Sequence, residues 1–139
     1  MKVSPISLTV ALALVGVSSS AFAESSSRYS GGGNVYEFKA EFDQIARSGE
    51  QVRIDGHCQS ACTMLLGYRN ACVTRGATLL FHAGASHGEL DSRKTSIMLN
   101  HYNGKLRAYL KSNGAMETRS FTSISGSDMI DKFGYRECK

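Results

Sequence analysis

The sequence predicts an α/β fold with a short parallel sheet flanked by helices. Helical and strand-like hydrophobic patterns alternate along the chain, which is typical of this class. A turn led by Gly56 also precedes a strongly apolar run over 61–66. At 139 residues the chain has room for one modest domain, and it has no internal repeat.

The first 23 residues are typical of a secretory signal peptide. Lys2 precedes an apolar run over 6–17, and residues 21–23 form an Ala-Phe-Ala cleavage site. The apolar run is about a dozen residues, against about 20 for a membrane-spanning helix. We therefore expect cleavage near Ala23, and a periplasmic or secreted protein without stable membrane insertion. An uncleaved membrane anchor is the alternative.

The next elements lie in the first half of the chain. Residues 24–30 are serine-rich and polar, so we expect a mobile leader before a single domain over 31–139. Apolar residues recur at helical spacing from Val35 to Ile45, and Gly49 stands where a helix C-cap would. The segments that follow are predicted to be a strand over 51–55, a buried helix over 61–66, and strands over 71–74 and 78–81.

The second half begins with a predicted loop over 83–92. Apolar residues from Ile97 to Leu110 predict one long helix or a helix broken at Gly104. Asn113 and Gly114 close this helical region. The tail is predicted to contain an extended segment over 121–124 and a short helix over 127–132.

The charge of the chain excludes one class of partner. The formal net charge is +4, with 16 basic and 12 acidic residues, and the basic residues are scattered. A nucleic-acid-binding protein usually shows a basic patch or stripe, so no nucleic-acid partner is expected.

Four cysteines follow the predicted signal peptide, and in an oxidising compartment they would form two disulfides in one of three connectivities. A Cys58–Cys62 bond would have to close within one helical turn, so we disfavour it. We expect Cys62–Cys72, which would tie the helix to the next strand, and Cys58–Cys138, which would tie down the C-terminus.

A zinc site built from His57, Cys58, Cys62 and Cys72 is the alternative use of these cysteines. The spacing lacks the paired CxxC motifs of structural zinc sites. We therefore expect neither a metal nor another cofactor.

Ser60 and His82 are the residues that could perform chemistry. Ser60 starts the apolar helix, and a helix N-terminus favours the negative charge that develops on an activated serine. His82 ends an apolar strand, and open α/β sheets place their sites at the carboxyl ends of strands. The alternative is structural: serine is an ordinary N-cap, and a histidine at a strand end can simply be hydrogen-bonded.

The triple glycine Gly31-Gly32-Gly33 offers a third element of such a site. Acyl transfer needs backbone N–H groups aimed at the developing oxyanion, and glycine allows the close approach that this requires. A flexible linker after the leader is the alternative for this segment.

Taken in order, these motifs resemble the proteolytic subunit of Clp protease, in the ClpP/crotonase superfamily. A glycine pair opens a helix, and a Gly-x-x-x-Ser-Ala turn and a strand ending in histidine follow. The turn Cys58-Gln59-Ser60-Ala61-Cys62 is similar to that of small secreted Clp-protease-like proteins, and Phe81-His82-Ala83 matches the base motif. The resemblance covers roughly residues 31–83 and implies a small, truncated ClpP/crotonase-like fold.

The resemblance also implies roles for individual residues. Ser60 would be the nucleophile and His82 the general base, and the N–H groups of Ala61 and of Gly32 or Gly33 would form the oxyanion hole. The acid that orients the histidine would come from Met116–Arg119, which makes Glu117 the first choice. Asp128 is the second choice.

The implied function is an extracytoplasmic serine hydrolase, in the form of a peptidase acting on a peptide or protein. A homo-oligomer is compatible with the resemblance, but no ATP-driven unfoldase is expected outside the cytoplasm. The rival hypothesis is a disulfide-stabilised binding or structural protein that keeps the fold without the chemistry. It is favoured by the absence of the strands that normally precede the glycine pair in this family.

Overall fold

The computed structural model describes residues 24–139, so the predicted signal peptide lies outside the described residues. The described part of the chain is mixed α/β with small sheets, which confirms the α/β class. None of its helices is both long enough and apolar enough to cross a membrane.

The elements follow one another closely along the chain. The strands are β1 Glu24–Ser25, β2 Val52–Ile54, β3 His57–Gln59, β4 Ala71–Val73, β5 Thr78–Phe81, β6 Ala85–Ser86, β7 Glu89–Leu90 and β8 Thr122–Ser125. The α-helices are α1 Val35–Ser48, α2 Ser92–Asn100, α3 Gly104–Ser112 and α4 Gly126–Asp131. Short 3-10 helices span Ser26–Tyr29, Ser60–Gly67 and Ala115–Glu117.

The first sheet is fully parallel, in the order β1-β2-β4. Its edge strand β1 belongs to residues 24–30, where the sequence predicts a mobile leader. Ser26 is fully buried there: its hydroxyl donates to the Asp55 carbonyl at 3.2 Å and accepts from the Asp55 N–H at 3.1 Å. In this structure Ser25 pairs with β2 through the backbone, while Ser26 bonds to the Asp55 backbone through its side chain.

The second sheet has the order β3-β5-β8, with β3 and β5 parallel and β8 antiparallel to β5. Gly56 lies between β2 and β3 with a φ of 56°, so the chain turns there from one sheet to the other. This left-handed conformation is the one that glycine adopts without a steric cost. The strands predicted over 51–55, 71–74 and 78–81 are confirmed as β2, β4 and β5.

Helix α1 holds the glycine segment 31–33 in place. The Asn34 side chain caps the helix by accepting from the Tyr36 N–H at 3.0 Å, and Gly49 ends it with a φ of 76°, as predicted. Phe42 is fully buried on this helix and packs edge-on against Tyr29 at 4.9 Å. The glycines are therefore fixed between two anchored points, Tyr29 and Asn34.

The apolar run predicted as a buried helix is the 3-10 helix Ser60–Gly67, at the centre of the fold. Its residues 61–66 are all buried, and it contacts α1, α2 and β5. Farther along, the structure has the broken one of the two predicted alternatives: α2 ends at Asn100 and Gly104 starts α3. The loop predicted over 83–92 contains the short β6–β7 hairpin.

The predicted disulfide pairing is wrong. The structure pairs Cys58 with Cys62 and Cys72 with Cys138, rather than Cys62 with Cys72 and Cys58 with Cys138. Cys58 lies on a strand, not in a helical turn, and the turn after it brings the Cα atoms of Cys58 and Cys62 to 5.4 Å. That separation is ordinary for a disulfide. Since all four cysteines are paired, none is left as a thiolate ligand for the zinc alternative.

Candidate active site

Ser60 occupies a strained position between strand β3 and the central 3-10 helix. Its φ is 55°, in the left-handed region, while Gln59 before it is fully extended. Non-glycine residues are uncommon at positive φ, and such residues cluster at functional sites. The chain thus turns sharply at the residue that the sequence predicts as nucleophile.

The strand register brings Ser60 and His82 to the same edge of the second sheet. Gln59 at the end of β3 lies opposite Leu80 on β5, and the two strands are parallel. Ser60 follows β3 directly and His82 follows β5 directly, so both stand at the carboxyl ends of adjacent strands. Among the hydrogen bonds of residues 24–139, none joins Ser60 Oγ to His82.

The environment of His82 suits a neutral imidazole. Its ring packs edge-on against Phe121, with the centroids 4.9 Å apart. Burial lowers the pKa of His82, and the positive charge of Arg119 lowers it further. The Ala83 backbone raises the pKa but does not cancel this effect. A histidine must be neutral to accept a proton, so this environment is compatible with a general base.

The second ring nitrogen of His82 lacks the partner that a triad would provide. Nδ1 is buried and has no hydrogen-bond partner within the described chain. A buried polar atom without a partner is costly and is uncommon in folded proteins. In a catalytic triad this nitrogen donates to a carboxylate.

The segment predicted to supply that carboxylate does run beside the histidine. The Ala83 N–H donates to the Thr118 carbonyl at 2.9 Å, so residues 116–119 lie along the end of β5. However, Glu117 is exposed and makes no hydrogen bond to His82 in this structure. Asp128 instead forms an ion pair with Lys132 at 3.0 Å on α4. The structure therefore brings the backbone of the predicted segment to the site, but neither predicted acid.

The glycine segment lies against Ser60, as an oxyanion hole requires. A Cβ atom on Gly32 would come within 2.8 Å of Ser60 Cβ, and Gly32 itself has a φ of 69°. The Gly32 N–H already donates to the Tyr29 carbonyl at 2.9 Å, which leaves Gly33 as the donor from this segment. Ala61 follows Ser60 in the first helical turn, where N–H groups have no acceptor within the helix.

Gln59 clamps the glycine segment onto the turn, a role that sequence reasoning missed. Its N–H donates to the Ser30 carbonyl at 3.0 Å, and its Nε2 donates to the Gly31 carbonyl at 3.0 Å. Its Oε1 lies 2.8 Å from His57 Nε2. Since Oε1 can only accept, His57 donates through Nε2. The only sequence signal for this role is that Gln59 directly precedes the serine.

A cleft of about 330 Å³ is lined in part by the residue that follows His82 in the chain. This residue is Ala83, and no charged side chain lines the cleft. The lining is apolar or hydroxyl-bearing and consists of Ala83, Leu90, Ser92, Thr95, Ser96 and Met116. A neutral group can enter it without leaving a buried charge unpaired.

Comparisons of the chain with protein-family models, with curated proteins and with solved structures find no match. Three features meet at one edge of the second sheet: the strained Ser60, the half-buried His82 and the glycine segment that packs on Ser60.

Proposed function

We propose that the protein is an extracytoplasmic serine hydrolase of the peptidase type, with Ser60 as nucleophile and His82 as general base. The observation that carries the proposal is the left-handed Ser60 at the end of β3, beside the strand that ends at His82. The Clp-protease-like motif order supports the same roles. The two disulfides support an oxidising compartment, periplasmic or extracellular.

The reaction would proceed in two halves. As Ser60 Oγ attacks the scissile carbonyl, His82 takes the hydroxyl proton, and the carbonyl oxygen becomes an oxyanion that the N–H groups of Ala61 and Gly33 stabilise. The tetrahedral species collapses, the C–N bond breaks, and His82 returns the proton to the leaving amine. Water, deprotonated by His82, then attacks the acyl-enzyme. This step releases the carboxylic acid product and restores the Ser60 hydroxyl.

The free Nδ1 of His82 predicts a slow enzyme. Without a carboxylate on Nδ1, the tautomer that presents a basic Nε2 to the serine is not selected, and the imidazolium that forms is not stabilised. Packing against Phe121 would restrain the ring without correcting this defect. We therefore expect acylation of Ser60 by reactive probes to be easier to detect than turnover of a peptide.

The neutral cleft that Ala83 helps to line favours substrates with an uncharged side chain next to the scissile bond. Its apolar walls, Leu90 and Met116, would contact the side chain, and hydroxyls of α2 such as that of Thr95 line the rest. A charged side chain would lose its hydration there without gaining an ion pair.

The second candidate function is a disulfide-stabilised binding or structural protein that keeps this fold without catalysis. The specific observation in its favour is that neither Glu117 nor Asp128 reaches His82. The two functions differ in whether the Ser60 hydroxyl is activated, and this can be measured directly.

The deciding experiment is labelling of the oxidised protein with a fluorophosphonate probe, followed by mass spectrometry of the labelled peptide. The hydrolase proposal predicts labelling at Ser60 that is lost in Ser60→Ala and in His82→Ala. Ser112→Ala and His87→Asn alter exposed residues and should keep full labelling. Unlabelled Ser60 in folded wild-type protein would reject the hydrolase and leave the binding protein.

A further inference from the structure

A buried tyrosine contacts one residue near each half of the candidate site, Thr63 near Ser60 and Phe81 next to His82. Tyr102 lies between α2 and α3 and is 1% exposed. Its hydroxyl lies 2.6 Å from Thr63 Oγ1, and Thr63 is completely buried. Thr63 Oγ1 in turn lies 2.7 Å from the carbonyl oxygen of Ser60.

The direction of these two hydrogen bonds follows from their chemistry. The Ser60 carbonyl oxygen can only accept, so the single hydroxyl hydrogen of Thr63 is donated to it. Tyr102 must therefore be the donor to Thr63 Oγ1. Burial raises the pKa of Tyr102, so its hydroxyl stays protonated and keeps donating at neutral pH. The result is a directed chain from Tyr102 through Thr63 to Ser60, in which each bond polarises the next.

The ring of Tyr102 reaches the histidine side of the site. It packs edge-on against Phe81, with centroids 5.4 Å apart and an interplanar angle of 86°. Phe81 is fully buried and directly precedes His82. Tyr102 is itself held, because Arg107 donates to its carbonyl at 2.8 Å and to the Leu99 carbonyl at 3.0 Å.

We propose that Tyr102 is a positioning residue that fixes Ser60 and His82 relative to each other, through Thr63 on the serine side and Phe81 on the histidine side. A non-glycine residue persists at positive φ only where its surroundings determine it. The Cys58–Cys62 disulfide restrains the Ser60 turn through flanking residues, whereas Thr63 bonds to Ser60 itself. Sub-ångström displacement of a nucleophile from its base lowers reactivity, so this restraint matters for the chemistry.

Two variants of Tyr102 separate its two contacts. Tyr102→Phe keeps the ring and removes the hydroxyl, so the backbone amide resonances of Ser60 and Ala61 should shift while the His82 ring resonances do not. Tyr102→Leu removes both contacts and should shift both sets. Tyr68→Phe is the matched control, since it removes a hydroxyl whose hydrogen-bond partner among residues 24–139 is Asp43, at 2.8 Å. It should leave both sets unchanged.

Thr63 provides a test that does not depend on the stability of the tyrosine variants. Thr63→Val keeps the shape and removes the hydroxyl, and Thr63→Ser restores it. The rate of Ser60 labelling by fluorophosphonate should fall about tenfold in Thr63→Val and recover in Thr63→Ser, in protein that remains folded by circular dichroism. A role confined to packing would not produce this recovery, because serine lacks the methyl group.

The labelling arm rests on the proposed hydrolase function, whereas the resonance arm does not. Unlabelled wild-type protein would reject the hydrolase, and the resonances would still decide the positioning role. That role is overturned if Tyr102→Phe leaves Ser60 and Ala61 unchanged, or if Tyr102→Leu leaves His82 unchanged. It is also overturned if Thr63→Val labels as fast as the wild type.

Discussion

The turn around Ser60 and the C-terminal clasp each contain one disulfide, but the two bonds join very different stretches of chain. The clasp consists of residues 71–75, α4 and residues 136–138. Cys58–Cys62 spans a sequence separation of 4, and Cys72–Cys138 spans 66. In the chain-entropy account a disulfide stabilises by restricting the unfolded chain, so the longer loop gains more. The first bond mainly shapes one turn, while the second holds the end of the chain onto the fold.

The clasp is well supplied with partners. The Val73 N–H donates to the Arg136 carbonyl at 2.8 Å, and the Cys138 N–H returns to the Val73 carbonyl at 3.0 Å. Arg75 joins Asp131 and Glu137 at 3.0 and 2.9 Å. This region therefore combines strand-like pairing, ion pairs and a covalent bond.

The Ser60 turn is also held by hydrogen bonds and a disulfide, but it combines them with strain and an unpaired polar atom nearby. Ser60 is held at positive φ, and the nearby His82 has a buried nitrogen without a partner. Strain and unpaired polar groups lower stability, and proteins keep them where function requires them. The contrast teaches that the covalently closed, ion-paired clasp and the strained turn, where we propose the chemistry, are different parts of this small domain.

Removing the long disulfide should have the largest effect on stability. We expect the double variant Cys72→Ala/Cys138→Ala to lose roughly 4 kcal/mol of unfolding free energy, from the loop-entropy relation. Urea titration measures this loss, and Ser60 labelling of the protein that remains folded should be unchanged. A loss smaller than that from removing the short disulfide would break the comparison.

Removing the short disulfide should lower the unfolding free energy less than removing the long one, but it should lower the labelling rate of Ser60 more. For Cys58→Ala/Cys62→Ala the same relation gives a loss of roughly 2 kcal/mol. Freed from its covalent restraint, Ser60 can relax towards negative φ, so its labelling rate should fall by about tenfold or more. If labelling stays at the wild-type rate, the disulfide is not needed to hold the turn.

Acid should destabilise the Ser60 turn and the clasp in different pH ranges. Its effect should be smaller than that of removing either disulfide. The pKa of His82 is lowered from its ordinary 6.5 in the fold, so protonation favours the unfolded chain. The contribution of neutral His82 to the unfolding free energy is complete above pH 6.5. It is lost as the pH falls from 6.5 to the pKa that His82 has in the folded protein. In the clasp, Arg75 lowers the pKa of Asp131 below 3.8, so that contribution persists until much lower pH.

Melting temperatures of the wild type and His82→Gln, measured from pH 8 to pH 4, isolate the histidine. Below about pH 6.5 the melting temperature of the wild type should fall more steeply than that of His82→Gln. His101, whose pKa is also lowered by burial, contributes equally to both proteins and cancels. A constant difference between the two melting temperatures over this range would show that protonation of His82 does not destabilise the fold.

Much of the local structure could be predicted from the sequence because its signals are local. The spacing from Val35 to Ile45 and the glycine at 49 were enough for helix α1 and its end. The apolar strand before His82 was equally clear. For 97–110 the sequence left a long and a broken helix open, and the cap that Asn103 forms before Gly104 accompanies the break that the structure has.

The remainder depends on contacts between distant residues. The cysteine pairing failed because Cys58 was assigned to a helical turn, whereas it lies on β3 beside β5. The contacts of Ser26 could not be predicted, because its partner, Asp55, is about thirty positions away. The role of Gln59 depends on its contact with the glycine segment, and that of Tyr102 on the contact between the α2–α3 connection and Thr63. No short sequence motif encodes either contact.

The order of the two disulfides along the chain has a consequence for biogenesis. Their loops follow one another without overlap, since Cys58–Cys62 closes before Cys72 begins the second loop. If the chain is exported N-terminus first, as the proposed extracytoplasmic function requires, its cysteines meet the oxidising machinery in that same order. Pairing each cysteine with the next one to arrive therefore gives the native bonds directly, and maturation should not require a disulfide isomerase.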